Sequence, residues 1–121
     1  MHVLVGVEGT EESRRALDNV VERAKEAGDE VTVAVFALDD QRLEDVEGAV
    51  RDRMEGTGLE WHLERIEDDH PASSLVDRAE SGPFGQLAIG GGQLSPMGKI
   101  ELGSTTEFVL LNARLPVRLE R

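Results

Sequence analysis

Three glycines, Gly90, Gly91 and Gly92, follow directly on the apolar run Leu87-Ala88-Ile89, and Gly103-Ser104-Thr105 opens a second apolar-periodic segment. This spacing reads as a strand end, a loop and a helix start. Glycines let the backbone come close to a ligand. The free N–H groups of a helix's first turn, at the positive end of its dipole, attract an anion such as phosphate. Lys99, one of two lysines in the chain, lies inside the loop; it either offsets phosphate charge or is an ordinary solvated residue. The chemistry suggested is a phosphate cradle, against the plain alternative of a flexible Gly-rich connection.

Two common phosphate fingerprints fail here. A P-loop has four residues between its first glycine and the Gly-Lys pair, then Ser or Thr, whereas five separate Gly92 from Gly98-Lys99 and Ile100 follows. The dinucleotide pattern G-x-G-x-x-G could begin at Gly90, but Ser95 holds its last place and the pattern belongs after a first strand. His2, His62 and His70 lack any metal-ligand spacing and read as surface or structural residues. Ser104 is tied to no His or Lys by a motif, so a helix-cap role suffices for it. Asp68-Asp69 reads as a solvated turn.

The elements that must hold this loop alternate in type. His2 to Val7 is a short apolar run, as expected of a buried parallel strand, and Thr10 then caps a helix with Glu11 and Glu12 in its first turn and Gly28 at its end. Val31 to Ala37 is a second buried strand, and Gln41 to Glu55 a second helix with Leu43, Val46, Val50 and Met54 on one face. Leu59 to Ile66 alternates as a half-exposed edge strand does. His70-Pro71 introduces a third helix that ends at Ser81-Gly82-Pro83. Leu87 to Ile89 is the fourth strand, Ser104 to Asn112 a short helix, and Leu115 to Leu119 a final strand. An alternation of this kind calls for a parallel sheet with helices on both faces and a ligand at the strands' carboxyl ends. The ends of the first and fourth strands, Gly6-Val7-Glu8 and Gly90-Gly91-Gly92, should meet there.

Composition bounds the function. At 121 residues the chain is expected to be one domain, residues 1–121. It has no cysteine, which excludes disulfides, thiolate metal sites and thiol nucleophiles. Its 25 acidic residues against 13 basic give a net charge of -12. That charge repels nucleic acid and anionic membranes, and no basic patch with interleaved aromatics opposes it. No apolar run is long enough for a membrane span and the amino terminus lacks the pattern of a signal peptide, so the expected location is the cytoplasm. So acidic and lysine-poor a surface resembles proteins that work in molar salt, where the Debye length is about 3 Å.

Taken together, the chain resembles the universal stress protein family over essentially its whole length. The family's ATP-binding branch carries G-x-x-G, nine residues, then G-[ST] after its fourth strand; Gly90 and Gly103-Ser104 occupy the first and last places, while Gln93 replaces the second glycine. VLVGVEGTEES resembles the family's first strand and helix start, Ile89 to Val117 its carboxy-terminal signature, and the acidic surface its haloarchaeal members.

The resemblance implies an open, Rossmann-like α/β sheet of five parallel strands in the order 3-2-1-4-5. It also implies bound ATP or AMP. Glu8 stands where nucleotide-binding members place an Asp, and it keeps a hard oxygen for ribose or Mg²⁺. Backbone at Phe36 would meet adenine and Val7 would line the base pocket. Gly90, Gly91, Gly92, Gly103, Ser104 and Thr105 would meet ribose and phosphates. The Gln93 side chain would either obstruct the phosphates or donate its amide to them.

Three functions follow: a nucleotide-binding regulatory module, a stress protein acting through its surface on an unknown protein partner, and a slow ATPase. The last lacks a recognisable water-positioning base or arginine finger. In each case Leu115 to Leu119, as an open edge strand, should pair with its copy in a homodimer.

Overall fold

Strands β1 (His2–Val7), β2 (Glu30–Val35) and β4 (Gln86–Gly90) are nearly continuous in apolar residues because both of their faces are covered. The computed structural model describes residues 1–38, 40–91, 93, 94, 97 and 100–120, of which 93, 94, 100 and 101 by backbone alone. With β3 (Trp61–Arg65) and β7 (Val117–Glu120) these strands form one five-stranded sheet in the order β3-β2-β1-β4-β7, every neighbouring pair parallel. This is the expected order, the fifth sheet strand being β7. Between β4 and β7 lies a two-stranded antiparallel ribbon, β5 (Gln93–Leu94) and β6 (Ile100–Glu101). Strands of two residues carry no readable alternation, and the ribbon was not expected.

Helices α1 (Glu11–Ala27) and α2 (Leu43–Met54) cover one face of the sheet, where Val3, Val5, Val7, Leu17, Val20, Val33, Val50 and Met54 make one core. Helices α3 (Pro71–Ser81) and α4 (Ser104–Asn112) cover the other, around Leu4, Phe36, Leu75, Leu87 and Val109. α1 begins where the Thr10 hydroxyl accepts the Ser13 N–H at 3.2 Å, and it ends at Gly28 with φ 75°, both as expected. α2 starts at Leu43 and leaves Gln41 in the preceding loop; β2 stops at Val35. α4 departs from amphipathic form. Thr105, Thr106 and Val109 face the core, while Phe108, Leu110 and Leu111 are exposed, Leu111 by 76%. Among the described residues no helix is long and apolar enough to cross a membrane.

Candidate functional site

β1 continues to β2 on one side and lies beside β4 on the other, so strand order reverses between β1 and β4, where open α/β sheets bind ligands. Gly6 pairs with Ile89, and the two strand ends emerge together. The first turn of α1 crosses close over the end of β4: a Cβ on Gly90 would stand 2.8 Å from the Glu12 carbonyl oxygen. Thr106 ties the other side by donating its hydroxyl to the Gly90 carbonyl at 2.8 Å. Between these fixed points lies a cleft of about 180 Å³, lined by Glu8, Ser13, Phe36, Leu38, Ile89, Gly90 and the four residues from Gly103 to Thr106.

One wall of the cleft is the amino-terminal turn of α4. Its N-cap is Gly103, in extended backbone, a residue with no side chain to cap the turn. A Cβ on Gly103 would meet nothing within 4 Å. The N–H groups of a helix's first turn and the helix dipole favour an anion at this wall.

Glu8 stands on another wall. Its backbone N–H donates to Ser13 Oγ at 3.2 Å, and its Oε2 is buried without a hydrogen-bond partner among the described residues. Burial lifts its carboxyl above the usual range; a hydrogen bond from Thr10 opposes the shift and the nearby Glu12 charge adds to it. An unpartnered carboxylate oxygen can accept from a hydroxyl or ligate a cation. Among the described residues no group of three His, Asp or Glu side chains could hold a metal unaided.

A second cleft of about 500 Å³ shares Leu38, Ser104 and Thr105 with the first and runs past Pro71, Ala72 and Phe108 to the start of α3. The two clefts adjoin at these shared residues, and the second is the more apolar along α3.

Of the residues singled out from sequence, Glu8, Phe36, Gly90, Gly103, Ser104 and Thr105 converge on the cleft. Gly6, Val7 and Gly91 do not line it. The space a Gly6 side chain would take is filled by Leu75, whose Cδ2 would be 2.6 Å from a Cβ. Val7 is buried in the core on the α1 side. Gly91 extends β4 by donating its N–H to the Glu120 carbonyl at 2.8 Å, and a Cβ there would collide with Leu119. Gly92, Lys99 and the side chain of Gln93 lie outside the described residues. Ser13, Leu38 and Thr106 belong to the cleft although sequence reasoning passed over them. Ser13 carried a signal: it is a small polar residue on the stripe that buries Ala16 and Leu17.

The universal stress protein family profile matches residues 1–119. A universal stress protein from Archaeoglobus fulgidus superposes with TM-score 0.80 at 23% identity, covering 100% of this chain and 98% of that one. The universal stress protein UspA from Lactobacillus plantarum gives 0.76 at 18%, covering 100% and 97%. A structure of the universal stress protein from Archaeoglobus fulgidus in complex with dAMP gives 0.67 at 19%, covering 100% and 98%. At such identities these likenesses establish the fold alone. No curated protein matches the chain significantly. The family profile spans all but the last two of the 121 residues, and the sheet order agrees with it: the chain belongs to the universal stress protein family.

Proposed function

We propose that this protein is a stress-response regulatory module that binds an adenine nucleotide, ATP or AMP, in the groove between the ends of β1 and β4 and the start of α4. The observation that carries this reading is the pairing of α4's first turn, with glycine at its N-cap, with the unpartnered Glu8 oxygen across one cleft. The turn suits phosphate, the carboxylate suits a ribose hydroxyl, and the more apolar extension along Pro71 and Phe108 suits a base. The dAMP held by a relative of the same fold supports the choice of nucleotide. Mg²⁺ fits the same site, because this ion takes one or two carboxylates and completes its shell with phosphates and water. Glu8 would be its ligand from this chain.

The protein works in the cytoplasm at high salt, which screens its net charge of -12. It acts as a homodimer through residues 115–119, expected to be the edge strand; the strand itself is β7, Val117–Glu120, whose outer side has no strand neighbour among the described residues. Light scattering in molar KCl should give twice the chain mass; a monodisperse monomer would remove the dimer. Nucleotide binding is tested by thermal unfolding with millimolar ATP or AMP, with and without Mg²⁺. A Tm that rises with the logarithm of nucleotide concentration is expected, and no rise would overturn the reading.

A second reading, a stress protein acting through its surface without a nucleotide, is favoured by the exposed Phe108, Leu110 and Leu111 on α4.

A further inference from the structure

The walls of the cleft come from separate loops, and one side chain joins two of them. The Gln41 side-chain carbonyl accepts from the Gly9 N–H at 3.1 Å and from the Leu38 N–H at 3.0 Å. Gln41 also donates its own backbone N–H to the Leu38 carbonyl at 2.7 Å. Glu8, next to Gly9, and Leu38 both line the cleft. The β1–β2 ladder ends where Phe36 donates to the Val7 carbonyl at 3.1 Å. Beyond that point, among the described residues, no backbone hydrogen bond holds the two loops together. Gly9 matches this arrangement: a Cβ there would lie 3.0 Å from Gln41 Cδ and 3.3 Å from its Cγ and Nε2.

We propose that Gln41 is a positioning residue for the nucleotide cleft, its single carbonyl oxygen clamping the loop after β1 to the loop after β2. The inference rests on the cleft being the nucleotide site, and it adds what fixes two of its walls. Without the clamp, Gly9 and Leu38 each lose the acceptor of their N–H group, and Glu8 and Leu38 are free to separate. Binding must then restore an order that the wild type holds in advance. Because only an acceptor oxygen is required, a carboxylate at position 41 can take its place, whereas an alanine cannot.

Amide hydrogen exchange on the full chain tests the clamp without any ligand. In Gln41→Ala, exchange at Gly9 and Leu38 should quicken about tenfold while the Val5 amide, inside β1, keeps its wild-type rate; Gln41→Glu should protect both amides. ATP and Mg²⁺ titrated into the same three proteins should bind Gln41→Ala about tenfold more weakly than wild type, with Gln41→Glu close to wild type. Unchanged exchange at Gly9 and Leu38 in Gln41→Ala would overturn the proposal. So would a Gln41→Glu protein as impaired as Gln41→Ala, because an acceptor oxygen in the same place would then not be enough to hold the loops. If the wild type binds no nucleotide while exchange behaves as expected, the clamp stands and the nucleotide reading falls.

Discussion

Thr106 donates its hydroxyl to the carbonyl oxygen of Gly90 at 2.8 Å, and this bond joins the end of β4 to the first turn of α4 across sixteen residues of chain. The strand end and helix start that wall the cleft are thereby held at one separation, whatever the intervening loop does. Thr106 is 6% exposed, so the bond is protected from water on the helix side.

Thr106→Val keeps the shape and removes the donor, leaving the Gly90 carbonyl without this partner. The expected loss is about 1 kcal/mol, read as a lower urea midpoint at unchanged slope, and Thr106→Ser should recover most of it. A midpoint equal to wild type in Thr106→Val would show that the bond does not hold the cleft.

Gly90 and Gly103 stand at the two ends of the family-like spacing, yet the structure assigns them different sensitivities. A methyl at Gly90 meets the Glu12 backbone at 2.8 Å, while one at Gly103 meets open space. Gly90→Ala should cost about 1–3 kcal/mol by overpacking, with Gly103→Ala well under that. Equal unfolding midpoints for the two variants would contradict the close crossing of α1 over β4.

Glu8 carries a pH signature. Its carboxyl is raised above 4.5, first by burial, so the folded state holds its proton more tightly than the unfolded state. The resulting penalty is absent below pH 4.5, grows as pH rises through the folded value, and is complete above it. Glu8→Gln should therefore unfold at a higher urea concentration than wild type at pH 7, and the gap should close by pH 4. A variant less stable than wild type at pH 7 would mean that the charged carboxylate is satisfied in the fold.

The sheet was legible because its central strands are apolar runs bounded by turns, and α1 because Thr10 and Gly28 mark both of its ends. The glycines of the site were only partly legible. Gly6 and Gly91 sit beside cleft residues in sequence, but their missing side chains make room for Leu75 and Leu119, and no local pattern announces partners so distant. Gln41 reads as the start of a helix, whereas its side chain serves the backbone of Gly9, 32 residues earlier. α4 differs in another way: it reads as a short apolar-periodic helix, and the fold leaves Phe108, Leu110 and Leu111 exposed.

The most direct test of nucleotide binding at the α4 turn is calorimetric titration of ATP with Mg²⁺ in molar KCl, comparing wild type with Gly103→Val. Position 103 lines the cleft and has open space around it, so valine there fills the approach to the turn without disturbing a packed neighbour. Saturable one-site binding by the wild type, lost in an equally folded Gly103→Val, is the expected result. No heat from the wild type at millimolar ATP, or equal affinity in the variant, would contradict binding at this turn.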